Sequence, residues 1–150
     1  MNEILADGLA QLRLLGTVLL AFLVGGAIGY ERESAHKPAG LRTHMLVGGA
    51  AALLVGVGRI LMADYYAEVG GGTIRTDPTR VIEAMITGVS FLGAGTIIRG
   101  RNHVAGLTTA ASLLVTAGVG ACIALGQLLL ALGTTGLALI TLRHVARARP

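Results

Sequence analysis

The chain has 150 residues, 53% hydrophobic and only 13% charged, with 23 glycines and a formal net charge of +4. That balance excludes an ordinary water-soluble domain, and with no tryptophan and few other aromatic rings the basic charge lacks stacking partners for nucleic acid. A lone cysteine, Cys122, excludes an internal disulfide framework and a cysteine-based metal site.

The N-terminal segment carries Glu3 and Asp7 without a basic cluster or a small-residue cleavage site before Glu31. The first apolar run is therefore expected to be retained as a true span. Four runs contain no Asp, Glu, Lys or Arg: Leu14–Tyr30, Thr43–Gly58, Ala84–Ile98 and Val104–Leu142. A helix crosses the ~30 Å hydrocarbon core with roughly 20 mainly apolar residues, and snorkelling cations let shorter runs reach. The last run is about twice that length, so it is divided at Gly126-Gln127, a small residue and an amide suited to a turn. The expected helices are Leu12–Tyr30, Leu41–Ala63, Thr79–Ile98, Val104–Leu125 and Leu128–Leu142. They define an all-α, polytopic membrane fold over residues 1–150, a single transmembrane domain with no soluble C-terminal domain.

Short basic loops stay in the cytoplasm. With five spans and the N-terminus outside, Arg32, Lys37, Arg42, Arg99, Arg101, Arg143, Arg147 and Arg149 fall inside. Arg13, Arg59, Arg75 and Arg80 fall outside, together with most of the carboxylates. Four spans would place the Arg143–Arg149 tail outside and spoil this asymmetry. Tyr30, Tyr65 and Tyr66 land at the interfaces, where amphipathic rings belong. The expected location is a bacterial inner membrane with the C-terminus cytoplasmic.

Ala39-Gly40-Leu41-Arg42-Thr43 opens the second helix and Ala105-Gly106-Leu107-Thr108-Thr109 the fourth, which suggests a parallel duplication of helices one-two and three-four. Gly25/Gly29, Ala52/Gly56, Gly106/Ala110 and Gly120/Ala124 are small residues four apart, suited to close helix approach.

No catalytic signature is present, so no enzyme and no cofactor are expected. Asp77-Pro78-Thr79-Arg80 reads as a helix start, with Asp77 as its cap. In helix three, Glu83, Thr87, Ser90 and Ala94 share one face, expected to be a polar seam directed into the bundle. An ionisable residue inside a membrane helix is a functional candidate, although pairing with Arg80 at the outer interface is the simpler role for Glu83. Thr108, Ser112 and Thr116 make a similar seam on helix four. They either bond between helices or, with the helix-three seam, line one solvated crevice. At the inner face Glu31, Arg32 and Glu33 end helix one, and Arg42 and His44 begin helix two. These charges are expected to meet, fixing a helix angle or binding a cation or an anionic headgroup. His36, His44, His103 and His144 are expected on the same side, solvated at the interface and without metal-ligand spacing.

These blocks together resemble the MgtC/SapB family of bacterial inner-membrane proteins, over about Leu20 to Leu132. The likeness rests on Gly29-Tyr30-Glu31-Arg32-Glu33, Pro38-Ala39-Gly40-Leu41-Arg42-Thr43-His44 and Asp77-Pro78-Thr79-Arg80. It rests further on Thr87-Gly88-Val89-Ser90-Phe91-Leu92-Gly93-Ala94-Gly95 and Gly106-Leu107-Thr108-Thr109-Ala110-Ala111-Ser112. The resemblance implies a link to growth in low magnesium and, in some members, to survival inside host cells. Some members act on other membrane machines, including an F-type ATP synthase, as regulators more than as magnesium carriers. This chain departs from the pattern at Glu83, where Gln is common, at Ser90, where Gly is common, and at Leu114, where Trp is common. The expected partners are membrane lipids and a membrane protein, such as an ATP synthase or a transporter, and the glycine-lined faces suggest a homodimer. An ion carrier or channel for magnesium, potassium or protons, using the two polar seams, is the rival reading.

Overall fold

The computed structural model describes residues 2–69, 77, 79–101 and 103–145. Arg75, Pro78, Arg147 and Arg149 lie outside the described residues, as do the side chains of Glu3, Asp7, Tyr66, Glu68 and His144. Five α-helices follow in order: α1 (Asn2–Ser34), α2 (Leu41–Val69), α3 (Thr79–Thr96), α4 (Leu107–Ala124) and α5 (Leu128–Ile140). A π-helical turn, Thr141–Val145, continues α5. Stretches of α1, α2 and α4 are long and apolar enough to cross a membrane: Gly8–Ser34, Leu41–Tyr65 and Leu107–Ala124. A shorter apolar helix spans Leu128–Arg143. The fold is an all-α helical membrane architecture.

The helix boundaries differ from the sequence expectation in several places. α1 spans Asn2–Ser34 rather than Leu12–Tyr30, and α2 runs to Val69 rather than Ala63. Helical hydrogen bonds are internal to the chain, so a helix need not stop where its apolar run stops. Between α3 and α4 the expected helix ends are instead a hairpin, β1 (Ile98–Arg99) paired antiparallel with β2 (Val104–Ala105). The β-branched pair Ile97-Ile98 and the flanking glycines favour extended backbone there. Gly106 then enters α4 at φ 89, and a Cβ there would run into the Thr96 carbonyl at the end of α3, so it is a backbone pivot as well as a site of close approach. Both other described turns close as Schellman motifs. After α1, the His36 N–H reaches the Glu33 carbonyl at 2.9 Å and Lys37 reaches Arg32 at 3.0 Å, with His36 left-handed at φ 53. After α4, Gly126 at φ 78 donates to Ile123 at 3.0 Å and Gln127 to Cys122 at 2.8 Å. That break lies where the sequence placed it.

α4 is the central helix, packed against each of the other four. Its buried residues include Ser112, Leu113, Thr116, Ala117, Val119 and Gly120. The α1–α2 and α2–α4 seams are built from small residues. A Cβ added at Gly25 would stand 2.7 Å from the His44 carbonyl oxygen, and one at Gly29 would stand 2.8 Å from the Leu41 Cα. One at Gly48 would lie 2.9 Å from the Ala21 oxygen, and one at Gly120 would run into the Gly48 oxygen. Hydrocarbon removes the hydrophobic drive between helices, so this backbone approach supplies the adhesion through van der Waals contact. Leucines cover the outside: Leu12, Leu15, Leu19 and Leu23 on α1, Leu53, Leu54 and Leu61 on α2, and Leu129, which is 89% exposed. A belt of this kind is a lipid-facing surface.

α2 and α4 run parallel, as the sequence reading expected of both, and α5 returns antiparallel to α4. The α1–α2 turn, the hairpin and Thr141–Arg143 therefore gather at one end of the bundle, called the hairpin end. Arg59, the start of α3 and the turn after α4 lie at the other.

Candidate functional site

At the hairpin end the polar groups fall inside the helix packing. His44 is fully buried. Its Nδ1 lies 3.0 Å from the Gly40 carbonyl oxygen, one helical turn back, and its Nε2 lies 3.1 Å from the Ser112 hydroxyl of α4. The carbonyl can only accept, so Nδ1 carries a proton. Ser112 Oγ also lies 2.8 Å from the carbonyl of buried Thr109, and Thr116 Oγ donates to the Ser112 carbonyl at 2.8 Å. The face of α4 bearing Ser112 and Thr116 is thus a join to α1 and α2, whereas Thr108 at its start is exposed. Arg59 makes the matching tie at the far end, donating from Nη1 to the Ala124 carbonyl at 2.9 Å. A cation there satisfies one orphan carbonyl of the α4 C-terminus and complements its dipole. Sequence reasoning assigned Arg59 only to an interface, although a single cation closing the apolar run of α2 was the signal for such a cap.

Glu31 and Arg32 end α1 and are both buried, 7% and 3% exposed. Arg32 Nε stands 3.6 Å from Glu31 Oε2, an ion pair without a hydrogen bond, and neither atom has another partner. Glu33 turns the other way and is exposed, yet its Oε2 accepts the Leu41 N–H at 2.8 Å and so caps α2 from the preceding helix. A Cβ at Gly40 would stand 2.7 Å from that oxygen, which accounts for glycine beside it. Of the expected charge cluster, Glu31, Arg32 and His44 are therefore brought into the packing, while Arg42 remains exposed. Sequence reasoning treated the inner histidines alike, but His36 and His103 are exposed and only His44 among the described histidine side chains is buried. Among the described residues no three His, Cys, Asp or Glu side chains gather as metal ligands.

The helix-three seam is a correction. Glu83, Thr87, Ser90 and Ala94 do share a face, but all four are exposed. α3 packs through Met85, Val89 and Gly93, with Gly93 against Ala110 of α4. It lies at the edge of the bundle, so only one of its faces is covered, and its small apolar residues fit the α4 backbone more closely than its hydroxyls do. The two polar seams therefore do not line one crevice within the chain. No ion pair joins Glu83 to Arg80, and the Thr87 hydroxyl donates back to the Glu83 carbonyl at 2.9 Å. At the start of α3, Asp77 Oδ1 accepts the Thr79 N–H at 2.9 Å and the Thr79 hydroxyl at 2.7 Å. Those bonds, the hydroxyl first and the backbone second, hold the Asp77 carboxyl below its ordinary value.

A cavity of about 320 Å³ lies between α1, α4 and α5, beside the His44–Ser112 contact. Ile28, Thr108, Ser112, Thr134, Ala138 and Leu142 are among its lining residues. Nothing in the spacing of these residues along the sequence indicated it.

A small-residue helical bundle sheathed in leucine, with its charges held at the ends, defines a polytopic membrane protein. The family profile described as the MgtC family matches residues 18–149, and the chain belongs to that family. It is 42% identical over 110 residues to "Putative magnesium transporter YhiD" of Escherichia coli (strain K12), covering 73% of this chain and 50% of that protein. It is 42% identical over 100 residues to "Protein MgtC" of Brucella abortus, covering 67% of this chain and 37% of that protein. "Protein SrpB" of Synechococcus elongatus is 38% identical over 139 residues, which are 87% of this chain and 73% of that protein. The chain spans about half the length of the Escherichia coli relative. No solved structure matches it.

Proposed function

We propose that this protein is a non-enzymatic regulator in the bacterial inner membrane, acting on a partner membrane protein through the uncovered face of α3. The single observation behind this reading is that Glu83, Thr87, Ser90 and Ala94 form an exposed polar and small-residue face on a helix whose other exposed large residues past its first turn, Ile86, Phe91 and Leu92, are apolar. A carboxylate and hydroxyls are costly against acyl chains, and small residues admit the close approach of another helix. The resemblance and the name of the Escherichia coli relative favour magnesium homeostasis as the setting. The positive-inside pattern supports a hairpin end in the cytoplasm. An ion carrier finds less support, because the Glu83 seam and the Thr108–Ser112–Thr116 seam face different directions.

Single cysteines test the reading in a Cys122→Ala background. Thr87→Cys and Ser90→Cys are expected to crosslink in native membranes to one reproducible heterologous membrane protein, whereas Leu129→Cys on the far side is not. Adducts only between copies of this chain, or none, would overturn it. Magnesium flux in liposomes that vanishes in Glu83→Gln would put transport in its place.

A further inference from the structure

Ile28 and Arg32 stand one turn apart on the same face of α1, and Ile28 lines the cavity between α1, α4 and α5. Leu142, at the end of the return helix, also lines it and is followed by exposed Arg143. Neither arginine lines the pocket wall itself, but each follows a lining residue, by one turn in α1 and by one position after Leu142, which sets two cations beside the hairpin-end mouth. One rim cation, Arg32, is 3% exposed with an Nε that no group satisfies, and the other is free to reach outward. The pocket runs along eight residues of α4, Thr108 to Val115, and eight of α5 and its continuation, Thr134 to Thr141, about 10 Å at helical rise. Its wall is mainly carbon; of its four hydroxyls, Thr141 donates to a carbonyl of its own helix and Ser112 is held between His44 and the Thr109 carbonyl, which leaves Thr108 and Thr134 open.

From this geometry we propose that the cavity holds one acyl chain of an anionic phospholipid, with the headgroup phosphate on the rim at Arg32 and Arg143. A water cluster does not suit the space, because a wall with so few open polar groups gives water too few partners. Nor does a helix from a second copy suit it, because a helix is about 10 Å across and would overfill about 320 Å³. An acyl chain is narrow and apolar, and it is the solvent of a membrane bundle. Charge selects among lipids. The described residues of the hairpin end carry six cations, Arg32, Lys37, Arg42, Arg99, Arg101 and Arg143, against two carboxylates, Glu31 and Glu33. Glu31 beside Arg32 offsets part of the attraction at the rim, which leaves Arg143 as the principal discriminating charge.

Native mass spectrometry of the full chain, purified in mild detergent and given equal phosphatidylglycerol and phosphatidylcholine, tests this site. The expected result is one retained phosphatidylglycerol per chain, favoured about fivefold or more over phosphatidylcholine. Arg143→Ala is expected to bring phosphatidylglycerol down to the phosphatidylcholine level, and Ala138→Trp, which fills the cavity, to remove the adduct. Leu129→Trp on the exposed face and Thr87→Trp on α3 are expected to leave it unchanged, so failure here is separate from failure of the α3 partner reading. Circular dichroism verifies that each variant keeps its helix content, and Thr134→Phe replaces Ala138→Trp if the latter does not fold. Equal retention of the two lipids, an adduct that survives cavity filling, inorganic phosphate competing as well as the lipid, or a lipid-free dimer would overturn the proposal.

Discussion

The His44 ring and the Ser112 hydroxyl share three close contacts, to each other and to the Gly40 and Thr109 carbonyls. In the neutral ring Nδ1 donates to Gly40, so the single Ser112 proton goes either to Nε2 or to the Thr109 carbonyl. The cross-helix bond and the back-bond therefore compete. Coupling between His44 and Ser112 should be modest, as is usual for membrane hydrogen bonds. A double-mutant cycle of His44→Leu and Ser112→Ala, read by unfolding in micelles, is expected to give about 1 kcal/mol of interaction. Glu31 and Arg32 are a harsher case. Glu31→Gln leaves a buried guanidinium without its counter-charge, and the expected loss is about 3 kcal/mol in the same assay. Replacing both, with Glu31→Gln and Arg32→Met, should recover most of it, because the orphaned charge goes as well. Sequence placed these side chains together at one turn. It did not distinguish buried Arg32 from exposed Arg42, since both are single cations at helix ends and only the α4 packing separates them.

The same limit governs α3. Spacing put Glu83, Thr87, Ser90 and Ala94 on one stripe, but the structure packs α3 through a different one, Met85, Val89 and Gly93. What periodicity omits is which stripe has a neighbour. In water the apolar stripe would be assigned inward, but in lipid apolar and polar faces both have solvents or partners to choose from. The break at Gly126 was more legible, because that residue acts through its own backbone and needs no neighbour, whereas the left-handed turn at Gly106 was read as a packing position. Small-residue spacing found the close approaches at Gly25, Gly29 and Gly120, whereas Gly118, outside those pairs, faces open space. The contrast is testable. Gly120→Ala, which would strike the Gly48 oxygen, is expected to lower unfolding stability by about 1 kcal/mol or more, while Gly118→Ala should be neutral or slightly stabilising through helix propensity. The start of α3 adds a pH dependence. The folded Asp77 carboxyl lies below its ordinary value, so its contribution is present above the usual carboxylate range and fades as pH falls through the lower folded value. Hydrogen exchange should show the first turn of α3 losing protection on acidification, and Asp77→Asn should remove that dependence while keeping an acceptor for Thr79.

Taken together, the helix directions put the three described connections on two ends. The α1–α2 turn and the α3–α4 hairpin share one end with Arg143, while the Leu125–Gln127 turn lies opposite, because α2 and α4 run parallel and α5 returns. Charge then predicts which end faces the cytoplasm. Six described cations at the hairpin end outweigh the opposite end, where Arg13, Arg59 and Arg80 stand with Asp64, Asp77 and Glu83. The bias acts over short loops near the helix ends, and these connections are of that kind. Cysteines introduced as Lys37→Cys and Arg143→Cys, each in a Cys122→Ala background, are expected to resist an impermeant maleimide in intact cells and to react once the membrane is opened. A cysteine at Gly126 cannot be assumed neutral, because that residue is left-handed at φ 78, so Gln127→Cys is the better probe of the opposite end. It is expected to react in intact cells. If Arg143→Cys were labelled from outside while Lys37→Cys stayed protected, the return path of α5 would be wrong, and the lipid-holding cavity it encloses would be lost with it. Labelling of both from outside would keep the fold and reverse its orientation, placing the cationic rim in the outer leaflet.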